Sequence, residues 1–181
     1  MKRAKKQEGT LPADPDKLIA LAAQGAQGAF EELYKTVGPG VYAYALSVLK
    51  NSEDANDLLQ DCFISLYDSL DRYTPTGKAQ GYVMSIAHHL CLMKLRQRKK
   101  SADLPEEDWM PLLEDHSLSP FERVLLRECM TSLSEEERQI FILHTLSGLK
   151  HREIGKLLDL PLSTVLSKYN RAIKKLQKKF G

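Results

Sequence analysis

The sequence predicts an all-α protein of two small helical units joined by a flexible acidic linker, and three observations carry that expectation. Apolar residues recur at steps of three and four along almost the whole length, the spacing of one helix face. Helix-start and helix-stop signals, Asp-Pro, Ser-Pro and single glycines, stand where those runs begin and end. No apolar–polar alternation persists beyond a few residues, and 7% aromatics with one Trp do not suit a large β-sandwich. With 43% hydrophobic and 28% charged residues, the 181-residue chain has the make-up of a globular protein.

The elements follow in order. Asp14 is an N-cap with Pro15 at the first helical position, and Gly25 stops a helix over 16–24. Phe30, Leu33, Tyr34 and Val37 continue at helical spacing, and 41–49 follow. Between them, Gly38-Pro39-Gly40 is expected to kink or interrupt the helix. Ser52 reads as the next N-cap, with Glu53 and Asp54 in a first turn that favours acids. Leu58, Leu59, Cys62, Phe63, Leu66, Tyr67 and Leu70 form the apolar stripe of that helix. Residues 71–78 are a polar loop. The next helix carries Tyr82, Val83, Ile86, Ala87, Leu90 and Cys91 on its apolar side.

Charge then changes abruptly. Lys94, Arg96, Arg98, Lys99 and Lys100 come without an acid; Asp103, Glu106, Glu107, Asp108, Glu114 and Asp115 follow without a Lys or Arg. With Pro105 and Pro111, the second block reads as a linker. The expected division is a basic tail at 1–13, a first unit at 14–100, the linker at 101–118 and a second unit at 119–181. In the second unit Ser119 caps a helix with Pro120 at its first position, and Ser134-Glu135-Glu136-Glu137 is a capping box. Ser147-Gly148 breaks that helix, a short one spans about His151–Leu158, Asp159-Leu160 turns the chain, and a last helix begins at Pro161 or Leu162.

Two helices joined by a short turn, the second one basic, form a helix-turn-helix pattern. Ile154, Leu157 and Leu158 bury the first helix, Gly155 permits a close crossing, Leu160 fills the turn and Val165 packs the second helix back. On the second helix, Leu162, Val165, Tyr169, Ile173, Leu176 and Phe180 share one side. Thr164, Lys168, Arg171, Lys175 and Lys178 share another, flanked by Ser163 and Ser167. Hydroxyls and Lys168 would meet base edges, with Arg171 and the lysines beyond on phosphates. On the earlier helix, Asp57, Gln60 and Asp61 face away from Leu58, Cys62 and Leu66, a mixture that suits a protein partner better than DNA.

The segment 54–67, DANDLLQDCFISLY, resembles the polymerase-docking helix of region 2 in the sigma-70 family. FEELY at 30–34 and VYAYAL at 41–46 resemble that family's opening helices, and GYVMSIAHHL at 81–90 its promoter-melting helix. Residues 133–176 are similar to region 4, and the lack of a third domain between the two units matches the extracytoplasmic-function group. The resemblance implies an alternative sigma factor that binds core RNA polymerase at the β′ clamp helices and β flap, recognises promoter DNA, and is held by an anti-sigma factor. Asp54, Asp57, Gln60, Asp61 and Ile64 would then face polymerase. Tyr73, Lys78, Tyr82, Ser85, His88, His89, Lys94, Arg96 and Arg98 would serve the −10 element, the loop capturing a flipped base beside Tyr73, which otherwise caps the core. Ser163, Thr164, Ser167, Lys168, Arg171 and Lys175 would serve the −35 element. Departures fall on the DNA-facing surfaces: Tyr82 replaces a common Trp, Ser85 an Arg, His88-His89 an Arg-Asn pair, Met93 an Asp and Leu166 a Lys. The linker acids serve as a solvated tether or as a mimic of RNA in the polymerase channel. The alternative is a standalone helix-turn-helix regulator, which needs no docking helix.

Other classes fit less well. Cys62, Cys91 and Cys129 are too few and too scattered for a disulfide framework and read as buried thiols. His88 and Cys91 are an i,i+3 pair that Cys62 could approach from a neighbouring helix, but without a second tight pair no metal site or other cofactor is expected. No apolar run follows the basic start or reaches membrane-spanning length, which implies a cytoplasmic chain without membrane insertion. No nucleophile triad, phosphate loop or carboxylate pair stands in a catalytic context, so no enzyme activity is expected.

Overall fold

The computed structural model describes residues 10–101 and 118–181, so residues 1–9 of the expected tail and 102–117 of the expected linker lie outside the described residues. Eight helices make up the described part: α1 (Pro15–Ala23), α2 (Ala29–Leu49), α3 (Ser52–Ser69), α4 (Ala79–Lys100), α5 (Pro120–Ser132), α6 (Glu135–Thr145), α7 (His151–Leu158) and α8 (Leu162–Phe180). A 3-10 turn, Leu70–Arg72, follows α3. Among the described residues no strand occurs.

Local chemistry sets most boundaries where the sequence placed them. The Asp14 side chain accepts from Asp16 N–H, and Gly25 takes a φ of +74° just after α1. Both expected serine caps form full capping boxes, Ser119 with Glu122 and Ser134 with Glu137. Two boundaries differ. Asn51, not Ser52, caps α3, its Oδ1 accepting from Asp54 N–H at 2.9 Å. α2 runs through Gly38-Pro39-Gly40 without interruption, although an interior proline costs about 3 kcal/mol. Its second half explains why: every residue from Gly40 to Leu49 is buried, and that packing outweighs one lost backbone bond.

α1–α4 enclose a core centred on Tyr42, Tyr44, Leu46, Cys62, Leu66 and Val83. The second unit does not stand apart from it. α6 packs on α2 and α7 on α4, so that Leu126, Ile140, Ile142, Leu143 and Ile154 join the same continuous core. The approach is closest at two glycines. A Cβ on Gly40 would lie 2.8 Å from Ser147 Oγ, and one on Gly148 (φ +70°) 2.6 Å from Gln80 Oε1.

Within the second unit α7 and α8 form the expected helix-turn-helix. Asp159 turns the chain at φ +55°, and a Cβ on Gly155 would lie 2.8 Å from the Leu160 carbonyl. The apolar face of α8 is rotated from expectation: Val165, Ala172 and Leu176 are buried, while Leu162 and Phe180 are exposed. Ala172 carries little hydrophobic weight on a helical wheel, yet it is fully buried. Three rings lock the motif from inside: His144 and His151 stack at 4.2 Å, and both meet Tyr169 edge-on at 4.8 Å.

Candidate functional site

Three surfaces gather the expected site residues. The first lies on α2 and α3. Phe30, Tyr34, Phe63, Ile64 and Tyr67 line one shallow apolar hollow with Gln60. Ile64 and Tyr67 are 60% and 63% exposed. Phe30 meets Phe63 and Tyr67 edge-on at 5.8 and 5.3 Å, so the buried Phe63 forms the floor of the hollow and Tyr67 its open rim. Tyr34 and Tyr67 stand on expected apolar stripes; α2 and α3 cross so that these two rings reach solvent instead, while Phe63 beside them stays buried. Asp57, Gln60, Asp61 and Ile64 follow at helical spacing on the exposed side of α3.

Asp54 does not join them. Its carboxylate pairs with Lys94 at 2.6 Å and with the Arg98 guanidinium, which also donates to the Leu49 carbonyl at 2.9 Å. Burial would raise the Asp54 carboxyl, but the hydrogen bonds and charges of Lys94 and Arg98 outweigh it and hold the group below the usual carboxylate range. Asp54 and Arg98 thus brace the α2–α3 junction against α4. Arg96 stays exposed.

The second surface is a cleft along α4. Tyr73, Lys78, Tyr82, Ser85 and His88 all line it, together with Thr76 and Gly81. The Tyr73 and Tyr82 rings lie 4.9 Å apart, and Tyr82 donates to Ser69 Oγ at 2.9 Å. His88 is half-buried, its Nδ1 hydrogen-bonded to the Tyr44 hydroxyl at 2.7 Å, and burial together with His89 lowers its pKa. His89 is exposed and outside the cleft.

The residue that organises this cleft escaped the sequence reading. Asp16, 9% exposed, accepts from the Tyr73 hydroxyl (2.5 Å), Thr76 N–H (3.2 Å) and Gly77 N–H (3.1 Å) on Oδ1, and from Ala79 N–H (3.0 Å) on Oδ2. Burial opposes its charge, but those four donors prevail and lower its pKa. The Tyr73 hydroxyl is pushed up to about 12, by burial and then by this carboxylate.

The third surface is α8. Ser163, Ser167 and Arg171 are exposed and Thr164 is half-buried, with Ser167 Oγ donating to the Thr164 carbonyl. Lys168 pairs with Glu136 at 2.5 Å and Lys175 with Glu137 at 2.6 Å. Glu137 is buried and already closes its capping box, so Lys175 is tied into the frame of α6.

With this arrangement in view, comparison with known proteins is decisive. Residues 33–101 match the Sigma-70 region 2 model, and residues 123–176 match Sigma-70, region 4. RNA polymerase sigma factor CarQ of Myxococcus xanthus is 30% identical over 161 residues, covering 87% of this chain and 92% of CarQ. The chain belongs to the sigma-70 family. ECF RNA polymerase sigma factor SigE of Mycolicibacterium smegmatis is also 30% identical, over 87% of this chain, which spans 64% of SigE. The fold of this sigma factor is that of Bartonella quintana RpoE, solved in complex with the anti-sigma factor NepR. The TM-score is 0.63 at 20% identity, over 83% of this chain and 96% of RpoE. This sigma factor is of the extracytoplasmic-function type, a class of alternative transcription-initiation subunit. The presence of region 2 favours it over a standalone helix-turn-helix regulator.

Proposed function

We propose that this sigma factor docks on core RNA polymerase through the α2–α3 face, reads and opens the −10 element in the α4 cleft, and reads the −35 element with α8. It acts in the cytoplasm and performs no chemistry of its own. The observation that supports this most is the Phe30–Tyr34–Phe63–Ile64–Tyr67 face. A contiguous apolar patch left open on a protein of this size marks a partner site, and Asp57, Gln60 and Asp61 beside it fit the β′ clamp helices of polymerase. On α5, Phe121 and Val124 also point outward and fit the β flap. Arg96, Lys99 and Lys100 are exposed for phosphates beyond the cleft, and Arg171 for those beside α8. The linker acids remain assigned either as a tether or as a polyanion mimic.

The closed arrangement bears on mechanism. Leu149, Glu153, Lys156 and Leu157, at and within α7, form the opposite wall of the α4 cleft. Promoter elements centred 25 base pairs apart stand roughly 85 Å apart along duplex DNA, beyond the reach of two units in contact. Polymerase binding therefore separates the units, and an anti-sigma protein that binds both keeps them together.

The test is copurification with core polymerase followed by run-off transcription on a promoter library. Wild type should bind stoichiometrically and initiate. Ile64→Asp or Tyr67→Asp should lower polymerase binding by about tenfold or more, as loss of an interface anchor does. Unchanged binding would place the docking face elsewhere.

A further inference from the structure

We propose that Asp16 is the positioning residue of the base-capturing loop: from α1 it fixes the 73–79 segment through four hydrogen bonds and so sets which base the α4 cleft accepts. The proposal rests on the reading of that cleft as the −10 pocket.

The geometry is specific. A buried carboxylate is tolerated only when its oxygens are well supplied with donors. Here every donor comes from one stretch lying 57 to 63 positions away. Three of the four are backbone amides. Gly77, at φ +75°, turns its own amide and that of Thr76 towards the same oxygen, the concave arrangement that elsewhere binds anions. Lys78, at the start of α4, gives no side-chain cap, and the open Ala79 N–H is satisfied by Asp16 instead. The carboxylate thus caps α4 from another helix while closing the loop around itself.

Two consequences bear on recognition. The Tyr73 hydroxyl is anchored at one end and its ring rests on Tyr82 at the other, so the aromatic wall has one orientation. The loop's anion-binding amides are already filled by a protein carboxylate, so no DNA phosphate can take them, and what enters the cleft is selected as a base. Residues 74–78 are all exposed and bring no core packing of their own to hold that shape. Asp16 lines the neighbouring cleft with Asp14, Gly148 and Glu153, outside the row Tyr73–Tyr82–Ser85–His88, and acts through the loop rather than on the base.

The experiment uses holoenzyme reconstituted with the full chain and a promoter library randomised at both elements, read by sequencing the transcripts. For Asp16→Asn, enrichment at the captured base should fall by about tenfold, the effect of losing a charge-assisted buried contact. Enrichment in the −35 element should stay within about twofold. Tyr73→Phe, which keeps the ring and loses one anchor, should lie between that variant and wild type. Amide exchange on the free proteins should show Thr76, Gly77 and Ala79 protected in wild type and fast in Asp16→Asn. Undiminished enrichment in Asp16→Asn, or equal loss at both elements, would overturn the proposal. A Tyr73→Ala arm separates the two readings. If it leaves base preference intact, the −10 assignment of the cleft fails. If it abolishes preference while Asp16→Asn does not, the cleft stands and Asp16 is only a structural acid.

Discussion

In the first unit one carboxylate, Asp54, gathers two cations of α4, whereas in the second unit Glu128, Glu136 and Glu137 each take one lysine of α8. The α4 cluster is largely closed to water: Arg98 and Asp54 are 14% and 19% exposed, and Arg98 also serves a backbone carbonyl. The α8 pairs are graded. Glu137 is buried and holds Lys175 in place, but Glu136 is half-exposed and can release Lys168 at little cost. A basic residue on a DNA-facing helix is therefore not automatically a DNA contact; the burial of its partner acid decides.

This contrast can be broken most severely where the units meet. Gly40→Val sets two methyl groups against Ser147 and the Leu146 carbonyl, and α2 and α6 must part to admit them. Such overpacking costs about 1–3 kcal/mol; chemical denaturation should show that loss, and small-angle scattering should show a larger radius of gyration. A variant as compact and stable as wild type would mean the interface yields without opening. Arg98→Ala comes next. It leaves the Leu49 carbonyl unserved and Asp54 with one cation, at a cost of about 2 kcal/mol in denaturant melts. If stability holds and promoter affinity falls instead, Arg98 belongs to the DNA.

The lysines of α8 sharpen the contrast further. Lys175→Ala should cost about 1 kcal/mol of stability, since it strips a buried carboxylate of its cation. Lys168→Ala should cost less than about 0.5 kcal/mol but lower the salt slope of holoenzyme–promoter binding by about one. Equal effects on stability from the two would erase the distinction.

Acid titration should act in two stages. His88 in the first unit and His151 in the second both bind protons less readily folded than free; burial is the main cause, assisted by His89 and His144 respectively. Protonation thus favours the unfolded chain, and stability should begin to fall below about pH 6.5. Asp16, Asp54 and Glu137 have lowered values, so their stabilisation is present above the unfolded carboxyl values of about 4 to 4.5 and is lost as pH falls through the folded values. Thermal melts from pH 8 to 3 read both stages, and His88→Gln should diminish only the first.

What the sequence discloses here is what neighbours along the chain decide. α7 spans the expected His151–Leu158, and both serine capping boxes form, because caps and three-four spacing act over a few residues. Tyr82, Ser85 and His88 reach one cleft because they share a face of α4. Asp16 resembles any first-turn acid until a loop 57 residues away is folded onto it. Gly40 resembles a helix breaker until α6 arrives beside it. Phe30–Tyr34 and Phe63–Tyr67 are visible as i,i+4 aromatic pairs, but only the crossing of α2 and α3 decides that Tyr34 and Tyr67 face water while Phe63 is buried.

Cys62, Cys91 and Cys129 are all buried, and burial pushes each thiol up to about 12. At neutral pH only on the order of one in a hundred thousand is a thiolate, the form that peroxide and alkylating agents attack. While the protein is folded, these three thiols are closed to oxidants: adding peroxide to the purified protein should leave Cys62, Cys91 and Cys129 unmodified. An oxidative message read by a thiol must be written on a partner and delivered as release or capture.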